Sequence, residues 1–153
     1  MQRKEFMQIL GGAIGAITLS SFQSLSESFK EEDFFMPAYF VGHGSPMNAI
    51  EDNEFSRHWA ELGQEMPKPK AIICVSAHWF TRGTFVTAME QPKTIHDFGG
   101  FPQALFDVQY PAPGSPKLAQ EAAKMIQNTH VGLDKDWGLD HGTWSVLRKI
   151  YPN

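Results

Sequence analysis

The chain has 153 residues, enough for one domain with a buried core. Its 13 basic and 17 acidic residues leave a net charge of −4, which argues against a binder that works by neutralising nucleic-acid phosphates. Cys74 is the one cysteine, so an internal disulfide framework and multi-cysteine metal sites are excluded, and a bound metal must use the six histidines and the carboxylates.

Residues 1–35 differ in kind from the rest. A basic start at Arg3 and Lys4 leads into an apolar run from Ile9 to Phe22 and then a Ser-rich, charged stretch. This is the anatomy of an export leader. Arg3, Lys4 and Phe6 fit a twin-arginine-like signal with Lys in the place of the second Arg, and Ser24 to Ser26 offer a weak cleavage site. The expectation is an exported, periplasmic protein; the alternative is a cytoplasmic chain with a frayed amphipathic helix. No run reaches the roughly 18 uncharged apolar residues of a membrane span, so no stable span is expected once the leader is removed.

From Met36 onward strand-like and helix-like segments alternate. Pro37 to Val41 reads as a short buried strand ending at Gly42. Phe55, Trp59 and Leu62 recur at helical spacing between Asn53 and Met66, and Pro67 and Pro69 stop that helix. Ala71 to Val75 is continuously apolar and predicts a strand covered on both faces. Thr84 to Met89 reads as another strand. Residues 90–114 are rich in Gly and Pro and predict a long ordered loop with one helical turn, the kind of loop that carries function. Ser115 caps a helix running to about Asn128, with Pro116 in its first turn. Val131 to Leu133 suggests a short strand, and Thr143 to Ile150 a final helix. The alternation predicts an α/β fold with a mainly parallel sheet flanked by helices. Nothing after Tyr151 completes a sheet, so the domain is expected to be truncated.

His43 follows the first expected strand in Gly42-His43-Gly44-Ser45-Pro46, and His78 follows the strongest one in Ser76-Ala77-His78-Trp79. Sites of α/β sheets form at the carboxyl ends of strands, so two such ends would bring both imidazoles into one crevice. Neutral imidazole is a good ligand for iron or zinc. The alternative is two unrelated histidines satisfying backbone groups. His96 sits in the long loop, as a pocket-lining group or as a loop histidine hydrogen-bonded to Asp97. His141, in Asp140-His141-Gly142, stands before the last helix, where it either exchanges protons with a substrate or belongs to a capping turn. His58 and His130 have no such setting. Dinucleotide and phosphate-loop glycine patterns and the nucleophile elbow are absent.

Gly42-His43-Gly44-Ser45-Pro46-Met47, Ser76-Ala77-His78-Trp79, Thr94-Ile95-His96-Asp97-Phe98-Gly99-Gly100-Phe101-Pro102, Tyr110-Pro111-Ala112-Pro113-Gly114 and Asp140-His141-Gly142 occur in this order. With them the stretch from Met36 to Asn153 resembles the class III extradiol ring-cleavage dioxygenases, in the branch of the 4,5-DOPA extradiol dioxygenases. The resemblance implies an α/β catalytic domain, of which residues 36–153 would be the N-terminal portion behind a leader at 1–35. It implies one divalent metal, Fe(II) or alternatively Zn(II), held by His43 and His78. It places His141 beside the substrate as a proton-handling catalytic residue and His96 in the pocket wall. The partners implied are a catechol and O2, with extradiol cleavage giving a semialdehyde acid. A further ligand is expected beyond residue 153, so the isolated chain is expected to be incomplete as a catalyst. Two other readings remain from the residues: a zinc hydrolase using the same two histidines, and an inactive fragment of a metal site.

Overall fold

A computed structural model describes residues 36–152. A stretch without regular secondary structure from Met36 to Ser45 leads into a 3-10 turn at Pro46–Ala49, where Ser45 Oγ accepts from the Met47 amide at 3.2 Å. Helix α1 (Glu54–Glu65) opens on a reciprocal cap: the Asn53 side chain accepts from the Ser56 amide, and the Ser56 hydroxyl accepts from the Asn53 amide. It ends before Pro67, which cannot continue a helix.

Strand β1 (Thr84–Thr87) pairs in parallel with β2 (Val131–Asp134), Thr84 opposite Val131 and Thr87 opposite Asp134. Between them the chain makes a short helix α2 (Gln103–Phe106) and helix α3 (Pro116–Met125), which is capped by Ser115 and packs on both strands. This is the crossover a parallel pair demands. A second parallel contact follows at Thr94 opposite Leu139, with Ile95 donating to the Leu139 carbonyl at 2.7 Å and Leu139 to the Lys93 carbonyl at 2.8 Å. That contact carries the chain past Leu139 into helix α4 (His141–Ile150).

Helix α4 is the centre of the molecule. Trp144 is fully buried and packs with Ala49, Leu105, Val108 and Tyr110, while its indole N–H donates to the Ile95 carbonyl at 2.8 Å. On another face Val146 and Ile150 meet Trp59 of α1. The helices approach so closely that a Cβ at Gly63 would stand 1.9 Å from the Ile150 carbonyl oxygen. A mid-helix glycine costs about 1 kcal/mol against Ala, and here the helix contact requires it.

The α/β class, the parallel pairing, α1, β1, β2 and the helical turn in the long loop follow the sequence reading. Two expected strands do not form. Pro37 to Val41 and Ala71 to Val75 have no ladder among the described residues. Nor is Ala71 to Val75 covered on both faces: Ile72, Ile73 and Val75 are exposed, Val75 at 68%. A strand exists only through hydrogen bonds to a neighbour, and neither run pairs with a described segment. The last helix begins at His141 rather than Thr143, because the Asp140 side chain caps it. The expected leader at 1–35 lies outside the described residues. No helix among the described residues is long and apolar enough to cross a membrane.

Candidate metal centre

Three segments converge on one point. The first is the bend after the N-terminal run. There Asn48 Nδ2 donates to the His43 carbonyl at 3.0 Å, and Asn53 Nδ2 donates to Asn48 Oδ1 at 2.8 Å, tying the His43 loop to the cap of α1. The second is the turn after Val75, where the His78 amide donates to Ser76 Oγ at 3.2 Å. The third is the start of α4, which carries His141.

One side chain locks the second segment to the third. Asp140, 2% exposed, accepts at Oδ1 from the Ser76 hydroxyl at 2.8 Å and from the amide and hydroxyl of Thr143, both at 3.1 Å. The Trp137 indole lies 3.4 Å from its other oxygen. A buried carboxylate holds its place only when donors surround it in this way. Cys74 adds a weak sulfur contact to Thr143 Oγ1 at 3.5 Å, and desolvation pushes its thiol pKa up.

The result is a cluster of His43, His78 and His141 whose potential ligand atoms all lie within 4.8 Å of one another. The Nε2 atoms of His43 and His78 are 2.6 Å apart. The His141 ring stands 3.9 Å from that of His78 and 5.1 Å, edge-on, from that of His43. Burial holds the His43 imidazole pKa below its ordinary value, and the neighbouring His141 and His78 push it the same way. That favours the neutral ring, the form that binds a metal. His141 is fixed from behind. Its ring Nδ1 and its backbone amide both lie 2.9 Å from Asp97 Oδ1.

The cluster fits a divalent metal on two grounds. Its donors are three imidazoles, a set suited to iron or zinc. The backbone also makes room for the rings: a Cβ at Gly142 would stand 2.5 Å from His78 Cδ2 and 2.9 Å from Ser76 Oγ. Only a residue without a side chain lets the His78 ring rest on the first turn of α4.

The sequence analysis joined His43 with His78, and the structure brings them together. It set His141 near a substrate, and the ring stands in the same cluster. His96 lies outside it: its Nε2 bonds the Val108 carbonyl at 3.0 Å, and its ring packs among Phe98, Phe106 and Trp144. Asp97, a partner for His96 in one of its two readings, serves His141 instead. Phe98 meets His141 edge-on, with ring centres 5.5 Å apart. Trp79 stacks on Trp137 with ring centres 6.1 Å apart. Asn48, Ser76 and the bolt at Asp140 were not legible as site residues. The one signal was the Asp-His-Gly triplet, whose three members cap the helix, face the cluster and clear space for His78.

Residues 37–153 match the family described as the catalytic LigB subunit of aromatic ring-opening dioxygenase. The chain belongs to this family. It is 64% identical over 119 residues to a 4,5-DOPA dioxygenase extradiol of Escherichia coli, a match covering 77% of this chain and 44% of that protein. With the protein of the same name from Beta vulgaris it shares 41% identity over 127 residues, covering 79% of this chain and 47% of the relative. A crystal structure of the uncharacterized protein JW3007 from Escherichia coli K12 superposes with a TM-score of 0.55 at 51% identity, covering 71% of this chain and 39% of that one. The chain thus spans less than half the length of these two relatives.

Proposed function

We propose that this protein takes part in extradiol cleavage of a catechol ring by O2, with DOPA-like catechols as the substrate class. The single observation that carries this reading is the three-histidine cluster, which lies within the stretch that matches the ring-opening family. His43 and His78 hold one divalent metal, Fe(II) by preference and Zn(II) as the alternative. When bound, the metal supplies a Lewis acid that lowers the proton affinity of catechol hydroxyls and a meeting place for catechol and O2. His141 faces the same point as a third imidazole: without substrate it would add a donor to the metal, and with a catechol present it takes a proton from a hydroxyl and returns it as the product forms. Phe98 packs on the His141 ring and shields it from solvent. The α4 amides do not compete for an anionic substrate, because Asp97 and Asp140 already accept from those of His141 and Thr143. The product of this chemistry is a ring-opened semialdehyde acid carrying both atoms of O2.

Residues 1–35 are proposed to direct export to the periplasm. The basic and apolar pattern of that stretch supports this, as does a family match that begins only at residue 37. Fractionation of cells expressing the whole chain tests it: periplasmic protein lacking the leader is expected, and cytoplasmic protein with Met1 retained refutes it.

The test of the activity is O2 uptake with a catechol, after anaerobic loading with Fe(II). Uptake that depends on the catechol and is lost in His43→Ala and His78→Ala supports the reading. Metal bound at the two histidines without O2 uptake removes catalysis from this stretch of chain. Hydrolysis of an ester or amide with Zn(II) and no O2 uptake replaces the reading with a hydrolase.

A further inference from the structure

His141 can serve the cluster only if one ring nitrogen carries a lone pair toward His43 and His78. An imidazole has two tautomers, and the partner of one nitrogen decides the state of the other. The partner here is Asp97. Its Oδ1 lies 2.9 Å from His141 Nδ1 and 2.9 Å from the His141 backbone N–H. The backbone N–H donates to this oxygen, so Oδ1 is an acceptor, and Nδ1 at the same distance from it donates as well. Nε2 is then the nitrogen left without a proton, and it is the one free to face the cluster.

The fold builds this pair from two directions. The parallel contact of Thr94 with Leu139 sets the two chain segments in register. Asp97 lies three residues past Thr94, and His141 two residues past Leu139. The side chains of the pair are 17% and 8% exposed, so water competes weakly for the bond. Asp97 also accepts from the first amide of α4, which fixes the ring's backbone and its tautomer with one oxygen. Neither Asp140 nor Ser76 can replace it, since both are engaged with the His78 segment.

We propose that Asp97 is a positioning residue that acts through His141, holding it as the Nδ1–H tautomer with Nε2 presented to the point shared by His43 and His78. This rests on the metal-centre reading above. Carboxylate partners of this kind are worth about 10–100-fold in metal affinity or activity when removed.

The test uses the full chain in two measurements. Nitrogen-15 NMR of the metal-free protein reads the tautomer of each histidine directly. Nδ1–H is expected at His141 in the wild type. It should persist in part in Asp97→Asn, whose amide oxygen still accepts, and give way to Nε2–H in Asp97→Ala. Zn(II) alone is the probe of the second measurement. Affinity should fall about 10–100-fold in Asp97→Ala, less in Asp97→Asn, and no further when Asp97→Ala is added to His141→Ala. An Nε2–H tautomer at wild-type His141 overturns the proposal, even if every variant fails to fold. So do losses that add in the double variant, which would mean that Asp97 acts elsewhere. Unchanged affinity in a folded Asp97→Ala, with His43→Ala and His78→Ala abolishing binding, overturns this proposal while leaving the metal centre standing. Retained Zn(II) affinity in His43→Ala and His78→Ala would instead sink the metal centre itself.

Discussion

Helix α4 and the segment from Ala71 to Trp79 each deliver a histidine to the cluster, and they are held in opposite ways. His141 rides on a helix whose Trp144 is wholly buried and whose first turn is capped by two carboxylates. His78 follows an apolar run that has no ladder and exposes Val75 at 68%. The first position is fixed by packing. The second is fixed by a few polar contacts, chiefly the Ser76 bond to Asp140, and by the space left at Gly142. One site therefore depends on two kinds of force, and disturbing either region should leave a different signature.

The largest effect is expected at the packed end. Trp144→Ala removes a fully buried ring and its bond to the Ile95 carbonyl. It should lower unfolding stability by about 3–5 kcal/mol, read as a shift in the urea midpoint with little change in slope. A loss below 1 kcal/mol would mean that α4 does not anchor the molecule.

The next effect belongs to the boundary between the two regions. Gly142→Ala adds a Cβ 2.5 Å from the His78 ring. The ring is the movable partner, so the site should suffer more than the fold. Zn(II) affinity is expected to fall at least about tenfold, or about 1.4 kcal/mol, with the far-UV circular dichroism unchanged. Retained affinity would show that the His78 segment reaches the cluster by another route.

Acid gives a smaller and sign-specific effect. The Asp97 carboxyl is held below its ordinary pKa in the folded state. Its contribution to stability is complete above about pH 5, where it is ionised both folded and unfolded. That contribution disappears as pH falls through the lowered folded value and the carboxylate protonates. Stability measured from pH 5 down to pH 2 should fall less steeply in Asp97→Asn than in the wild type. An identical slope would show that the contact to His141 carries no energy.

The smallest effect is expected at the exposed run. Val75→Ser alters a residue that is largely solvated, and its stability change should stay within about 0.5 kcal/mol. A larger loss would mean that the run is covered in solution and would erase the contrast with α4.

Much of this was readable from residue order. Local rules were enough for α1, because Phe55, Trp59 and Leu62 recur at helical spacing and Pro67 follows, and for α3, because Ser115 and Pro116 open it. The pairing of His43 with His78 was legible because each follows an apolar run and a turn. Ala71 to Val75 misled for a physical reason: an apolar run states a preference for burial, but burial and strand pairing need a partner elsewhere in the chain. Sequence by itself determined the histidines, the caps, the parallel crossover and the family motifs, since all of these rest on local geometry and side-chain chemistry. Only the tertiary structure decided that Asp97 belongs to His141 and not to the adjacent His96, that Asp140 bolts Ser76 to the last helix, and that Gly142 makes room for a ring 64 residues away. Those assignments depend on which segments meet in space, and the Thr94–Leu139 contact that sets their register is a long-range hydrogen-bonding event that no local pattern encodes.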